Sequence, residues 1–171
     1  MGFWQQFDRI NAKTVVKLGS VMRVMVKLLP AYAKPGEETP FSPLKKNLSE
    51  CTLGLITSCG VHPISQQPFD MENRLGDPTY REFAWDDVKK GYTVSHSHID
   101  SASIMKDINV AIPGDRIKEL ASQGVIKGLY PTIFSFMGFI PKTGPLVKKY
   151  APESADKLKA GGVDIVLLTP C

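Results

Sequence analysis

Cys51-Thr-Leu-Gly-Leu-Ile-Thr57 is a short, continuous apolar run bounded by serine and glycine. That pattern belongs to a strand buried on both faces, the kind parallel sheets use, and such a strand passes the chain to a loop at its carboxyl end. The loop here holds Cys59, Gly60 and His62. Val163-Asp-Ile-Val-Leu-Leu168 is a second run of the same kind and the strongest strand signal in the chain. Between the two runs, residues 68–80, with Asp70, Asn73, Gly76, Asp77 and Pro78, read as a long irregular surface loop. Strands are expected over 81–85 and 92–95, the second running straight into His96-Ser-His98-Ile-Asp100. A helix begins at Asp115 and stops at Gly124, and residues 125–140, apolar and aromatic, fit either a core helix or an interface. A further helix over 144–160 is capped by Gly161-Gly162. Strand, loop, helix and strand in alternation predict an α/β domain, a mostly parallel sheet flanked by helices.

A different pattern precedes this domain. From Phe3 to Tyr32 apolar residues recur every three or four positions with lysine and arginine between them, which predicts a long amphipathic N-terminal helix. Pro30, Pro35, Pro40 and Pro43 end it. The chain therefore divides into a basic helical arm with a Pro-rich linker (1–46) and the α/β domain (47–171). Residues 1–46 carry eight basic and three acidic residues, so the net charge of +4 is concentrated in the arm. Such an arm suits nucleic acid, an anionic membrane surface or a partner subunit. No aromatics interleave the lysines as a stacking platform requires, so no nucleic acid is expected and partner docking is the simpler reading.

At 171 residues, 43% hydrophobic and 22% charged, the chain has the makeup of one soluble globular domain. No apolar run approaches the ~20 residues of a membrane-spanning helix, so no transmembrane segment is expected. The first residues lack a secretory pattern, and the cytoplasm is the expected compartment. Three cysteines at wide spacing, Cys51, Cys59 and Cys171, make a poor disulfide framework and suit a reducing compartment.

Three groups can carry chemistry. In His96-x-His98-x-Asp100, alternate residues of an extended segment point the same way and can converge on a metal ion or a substrate, or work as acid and base. Cys59 beside His62 can be a thiolate activated by histidine, or simply a small buried residue. Thr169-Pro-Cys171 ends at the edge where parallel sheets build their sites, so a continuing polypeptide is expected, the alternative being an ordinary last strand with an exposed thiol.

Seven segments occur together and in order: Leu55-Ile-Thr-Ser-Cys-Gly-Val-His62, Pro68-Phe-Asp70, Gly76-Asp-Pro-Thr-Tyr-Arg81, Val94-Ser-His-Ser-His-Ile-Asp100, Asp107-Ile-Asn-Val110 with Pro113 and Asp115-Arg116, Phe134-Ser-Phe-Met-Gly138, and Gly162-Val-Asp-Ile-Val-Leu-Leu-Thr-Pro170. From Cys51 onward the chain resembles the selenoprotein B family of glycine, sarcosine, betaine and D-proline reductases, and its length is nearer to the D-proline type. The resemblance implies an oxidoreductase of anaerobic amino-acid fermentation that reductively cleaves a carbon–nitrogen bond, as in opening D-proline to 5-aminovalerate. It implies a hetero-oligomer in which a partner subunit carries a pyruvoyl group, an electron-donor protein supplies reductant, and no cofactor belongs to this chain. It also implies a selenocysteine nucleophile just beyond Cys171, at a codon read as a stop, with Cys171 as the resolving thiol. His62, His96 and His98 are then expected to line the cleft and Asp100 to bind substrate. Cys59 stands where relatives are expected to carry glycine, which counts against a shared catalytic role for it. Two other classes stay open: a metal-dependent hydrolase built on His96, His98 and Asp100, and a non-catalytic module that binds a subunit through its basic helix.

Overall fold

The computed structural model describes residues 42–96 and 99–171. The expected helix over residues 3–32, nearly all of the 1–46 arm, and His98 lie outside the described residues.

The apolar run that begins at Cys51 forms β1 (Thr52–Thr57), buried along almost its whole length. β2 (Val61–Pro63), β3 (Tyr80–Ala84), β4 (Tyr92–Val94), β5 (Gly128–Phe136) and β6 (Ile165–Thr169) come after it. Four of the six make one sheet in the order β3-β5-β1-β6. β1 is parallel to both neighbours, and β3 runs antiparallel to β5, so the sheet is mixed but mostly parallel. Helices α1 (Ala102–Lys106), α2 (Gly114–Ser122) and α3 (Ala151–Ala160) accompany it. On one face Leu53, Leu55 and Ile133 form a single cluster with Ile104 of α1, Ile112, Ile117 of α2, Phe83 and Trp85. On the other, Leu158 of α3 lies against Gly54. Each fully buried side chain of this size contributes roughly 1.5–3 kcal/mol, which makes β1 the axis of the molecule.

Three expectations need correction. Residues 125–140 are not a helix, since β5 runs through them. Its Leu-Tyr-Pro-Thr-Ile-Phe-Ser-Phe composition is β-branched and aromatic, and Pro131 would break a helix interior. Proline also has no N–H for the ladder, and the β1–β5 register slips beside it, between Leu53 and Leu55. Among the described residues β6 stands at the edge of the sheet and is not buried as expected: its residues alternate, with Leu168 64% exposed. β4 is not in the main sheet; it pairs antiparallel with β2 in a separate ribbon, and β2 itself falls where only a loop is expected. The helix over 144–160 includes a π turn at Leu146–Tyr150 ahead of α3, and the Gly161 amide closes it on Lys157. Residues 68–79 are irregular, as expected, yet Phe69 and Asp77 within them are buried.

Candidate functional site at the carboxyl edge of the sheet

β1 and β6 end in step. Thr57 is the register partner of Thr169, and each is followed by one residue and then a cysteine, Thr57-Ser-Cys59 and Thr169-Pro-Cys171. Parallel register therefore carries Cys59 beside Cys171, and the two are joined in a disulfide with Cα atoms 5.1 Å apart and a sequence separation of 112. Hydrogen bonds pin the two ends together. The Ser58 amide donates to the Thr169 carbonyl at 3.0 Å, and Thr57 Oγ1 donates to the same carbonyl at 3.2 Å. The Cys59 amide donates to Thr57 Oγ1 at 3.2 Å, and the Cys171 amide to Ser58 Oγ at 3.3 Å. Thr169 Oγ1 donates to the Ala111 carbonyl at 2.8 Å. Cys59 is 0% exposed, whereas Cys171 is exposed.

The β2–β4 ribbon docks on this edge through Gly60, whose carbonyl accepts from the Ser95 amide at 2.8 Å while its own amide donates to the Phe136 carbonyl at 2.9 Å. Gly60 has φ +66°, and a Cβ there would strike the Ser95 carbonyl. Gly138, φ +92°, lies just past β5 and sits between the Ser58 carbonyl and the His96 ring; a Cβ there would come within 2.6 Å of His96 Nε2. Both positions demand glycine, for conformation and for space. They let the ends of β1 and β5 close around His96, which is buried.

His62 lies in the ribbon, 1% exposed. Its Nδ1 is 3.0 Å from the Pro63 carbonyl and its Nε2 2.9 Å from Ser95 Oγ. A carbonyl only accepts, so Nδ1 carries the proton and Nε2 accepts from the Ser95 hydroxyl. Burial pushes the His62 pKa down, the Pro63 hydrogen bond opposes it, and the Arg81 charge adds to the fall, so the ring is neutral at pH 7. Phe69 packs edge-on against it, with ring centroids 5.8 Å apart.

Arg81 stacks over Phe69 at 4.2 Å and borders a polar cleft of about 690 Å³ lined by Gln66, Gln67, Pro68, Asp70, Asp77 and Thr79. A guanidinium in a cleft invites a carboxylate, but its Nε and both terminal nitrogens already donate to the Gln67, Pro68 and Tyr80 carbonyls, Thr79 Oγ1 and Asp77 Oδ2. It clamps the 68–79 loop. Burial would raise the Asp77 pKa, but hydrogen bonds from the Thr79 hydroxyl and from the Asp70 and Thr79 amides, with the Arg81 charge, outweigh it and hold the carboxyl below its usual range.

Of the residues singled out from sequence, Cys171, His62 and His96 are gathered at or beside this edge. Asp100 is not: it is exposed, and its Oδ1 accepts from the Ala102 amide at the start of α1. β4 ends at Val94, short of both His96 and Asp100. Among the described residues no group of three metal-binding side chains occurs. The disulfide corrects the reading of the cysteines as a poor framework; of the three, only Cys51 is free. Ser95 and Thr57 also belong to the edge, and no sequence pattern singles them out. The repeated Thr-x-Cys at two strand ends is the available signal for the cysteine pair. Ser135 Oγ, buried on β5 at the register position of Thr57, has no hydrogen-bond partner among the described residues.

Comparison with known proteins gives this edge a context. Residues 34–171 match the family described as Glycine/sarcosine/betaine reductase selenoprotein B. The chain is 36% identical over 129 residues to D-proline reductase subunit gamma of Acetoanaerobium sticklandii, covering 75% of this chain and 52% of that one. It is 28% identical over 131 residues to Betaine reductase complex component B subunit beta of Peptoclostridium acidaminophilum, covering 72% and 29%. With Glycine reductase complex component B subunit gamma of Carboxydothermus hydrogenoformans it shares 27% identity over 145 residues, 82% and 32%. The chain thus spans about half the length of the first of these and about a third of the others. No solved structure matches.

Proposed function

The chain belongs to the glycine/sarcosine/betaine reductase selenoprotein B family, and from that premise we propose that it is a subunit of an amino-acid reductase complex that cleaves a carbon–nitrogen bond reductively at the carboxyl edge of β1 and β6. The observation that supports it is an exposed cysteine, Cys171, joined to Cys59 at the paired ends of β1 and β6 beside the Gly138 turn that packs on buried His96, in a chain 36% identical to a D-proline reductase subunit. D-proline, opened to 5-aminovalerate, is the favoured substrate, with glycine, sarcosine or betaine as the others the family suggests. The substrate amine is held by a pyruvoyl group on a partner subunit, and an electron-donor protein restores the reduced state.

The nucleophile is the Cys171 sulfur or a selenocysteine next to it in the chain. A selenol there supplies a group ionised at neutral pH, whereas a free thiol has a pKa of about 8.5. The residues of this chain do the positioning. Thr57, Ser58 and Thr169 lock the strand ends in register, and Gly138 fits the β5 end against His96. Neutral His62 stays fixed by Pro63 and Ser95, its Nε2 accepting from the Ser95 hydroxyl. Among the described residues no helix is long and apolar enough to cross a membrane. The experiment is to purify the complex from its host and offer each of the four substrates with a dithiol reductant. Formation of 5-aminovalerate from D-proline, lost in Cys171→Ser, is the expected result; a complex inert toward all four overturns the proposal. Reading the gene past Cys171, together with the intact mass and selenium content, decides between sulfur and selenium.

A further inference from the structure

Cys59 is the residue that neither the resemblance nor the family match assigns, and the structure gives it a chemical partner. We propose that Cys59 and Cys171 are a reversible dithiol/disulfide pair that carries the two electrons of the reaction, Cys171 as the outward sulfur and Cys59 as the buried resolving one. The acceptor side of this cycle rests on the reductase reading above.

The pair joins two adjacent parallel strands at their carboxyl ends, where open α/β sheets place their chemistry. Its halves differ: Cys171 is an exposed residue, and Cys59 is 0% exposed. Thiol exchange needs one reachable sulfur and one held ready to close back on it. The strand ends do not depend on the disulfide to stay together, because the Ser58 amide and Thr57 Oγ1 both bond the Thr169 carbonyl. Reduction can therefore separate the sulfurs without separating the strands. In the reduced state Cys59 has an acceptor waiting, since the Thr169 carbonyl lies 3.8 Å from its Sγ.

Atoms and electrons balance over the cycle. The two thiols give up two electrons and two protons as the Sγ–Sγ bond forms. The substrate C–N bond takes both electrons as it breaks, with one proton going to carbon and one to nitrogen. A dithiol donor, protein or small molecule, then reduces the disulfide and is itself oxidised to a disulfide. Attack falls on Cys171, and Cys59 leaves as the thiolate and is protonated.

Cys51 supplies an internal control, being buried, free and at the opposite end of β1. The 171-residue chain is oxidised, treated with dithiothreitol under native conditions, quenched, alkylated in denaturant and weighed. One alkylated cysteine before reductant and three after, with an unchanged circular dichroism spectrum, is the expected result, and Cys59→Ser and Cys171→Ser should each abolish the shift while Cys51→Ser keeps it. Three thiols surviving oxidised glutathione overturn the pair. Reduction that occurs only on unfolding makes the bond a structural staple and overturns it too. In the purified complex, Cys59→Ser should keep a single turnover and lose steady turnover; steady turnover at the wild-type rate overturns the role. A wild-type complex that cycles its thiols yet reduces none of the four substrates refutes the reductase reading and leaves the pair standing.

Discussion

The two ends of β1 each hold a cysteine that solvent does not reach, and the two have opposite chemistry. At the amino end Cys51 donates its S–H to the Asn47 carbonyl at 3.3 Å, beside Thr52, whose amide donates to the Asp164 carboxylate at 3.0 Å and whose carbonyl accepts from the Asp164 amide at 3.0 Å. At the carboxyl end Cys59 is bonded to Cys171 among threonine and serine hydroxyls, two close-packed glycines and two buried histidines. Burial alone does not distinguish them; the register of the neighbouring strand does. The segment leaving β6 emerges next to the segment leaving β1, and a parallel sheet offers that meeting of outgoing chains only at its carboxyl edge.

The contrast can be broken at several points. Gly138→Ala forces a Cβ into the Ser58 carbonyl and the His96 ring at a positive φ, and should cost about 3 kcal/mol from strain and overpacking together; urea unfolding measures it, and the same change at exposed Gly124, where nothing lies within 4 Å of the added Cβ, should cost less. Cys59→Ser should lower stability by about 2–3 kcal/mol under oxidising conditions and by far less under reducing ones, because only the oxidised wild type is cross-linked. Asp77→Asn removes the carboxylate that anchors the 68–79 loop to Arg81 and Thr79, worth about 2 kcal/mol. Its effect should vanish in acid: the folded-state pKa is lowered, so the contribution is complete above pH 3.8 and disappears as pH falls through the depressed value.

His62 gives a smaller, pH-dependent signal. Its folded pKa is also lowered, so below its ordinary value of 6.5 the unfolded chain takes up a proton that the folded one refuses. Stability should be full above that pH and decline as pH drops through it, and the decline should be absent in His62→Gln. Smallest of all, Cys51→Ala should cost about 1 kcal/mol and leave any thiol cycle unchanged, which is what a purely structural cysteine does.

How far the sequence discloses this arrangement depends on the residue. β1 is legible because a strand buried on both faces leaves an uninterrupted apolar run, bounded here by turn residues. β5 is not, because an apolar, aromatic stretch of that length has no period that separates a helix from a buried strand until Pro131 and its sheet neighbours are weighed. β6 looks buried in sequence because Val163 to Leu168 is apolar almost throughout, yet its position at the sheet edge leaves Val166 and Leu168 exposed. His62 and His96 can be placed near a strand end, but the β2–β4 ribbon that joins them depends on a long-range pairing no local pattern encodes. The cysteine pair is hidden for the same reason, since its members stand 112 positions apart and only strand register closes the gap.

If electrons pass through the carboxyl edge of β1 and not through the amino end, the two cysteines of that strand must respond differently to donor and substrate. Differential alkylation of the complex, purified from its host, held with dithiol donor and then challenged with D-proline, reads that difference. Donor should open the Cys59–Cys171 bond, D-proline should close it again, and Cys51 should stay a thiol throughout. A Cys59–Cys171 bond whose occupancy is the same with donor and with substrate would contradict electron transfer through this edge.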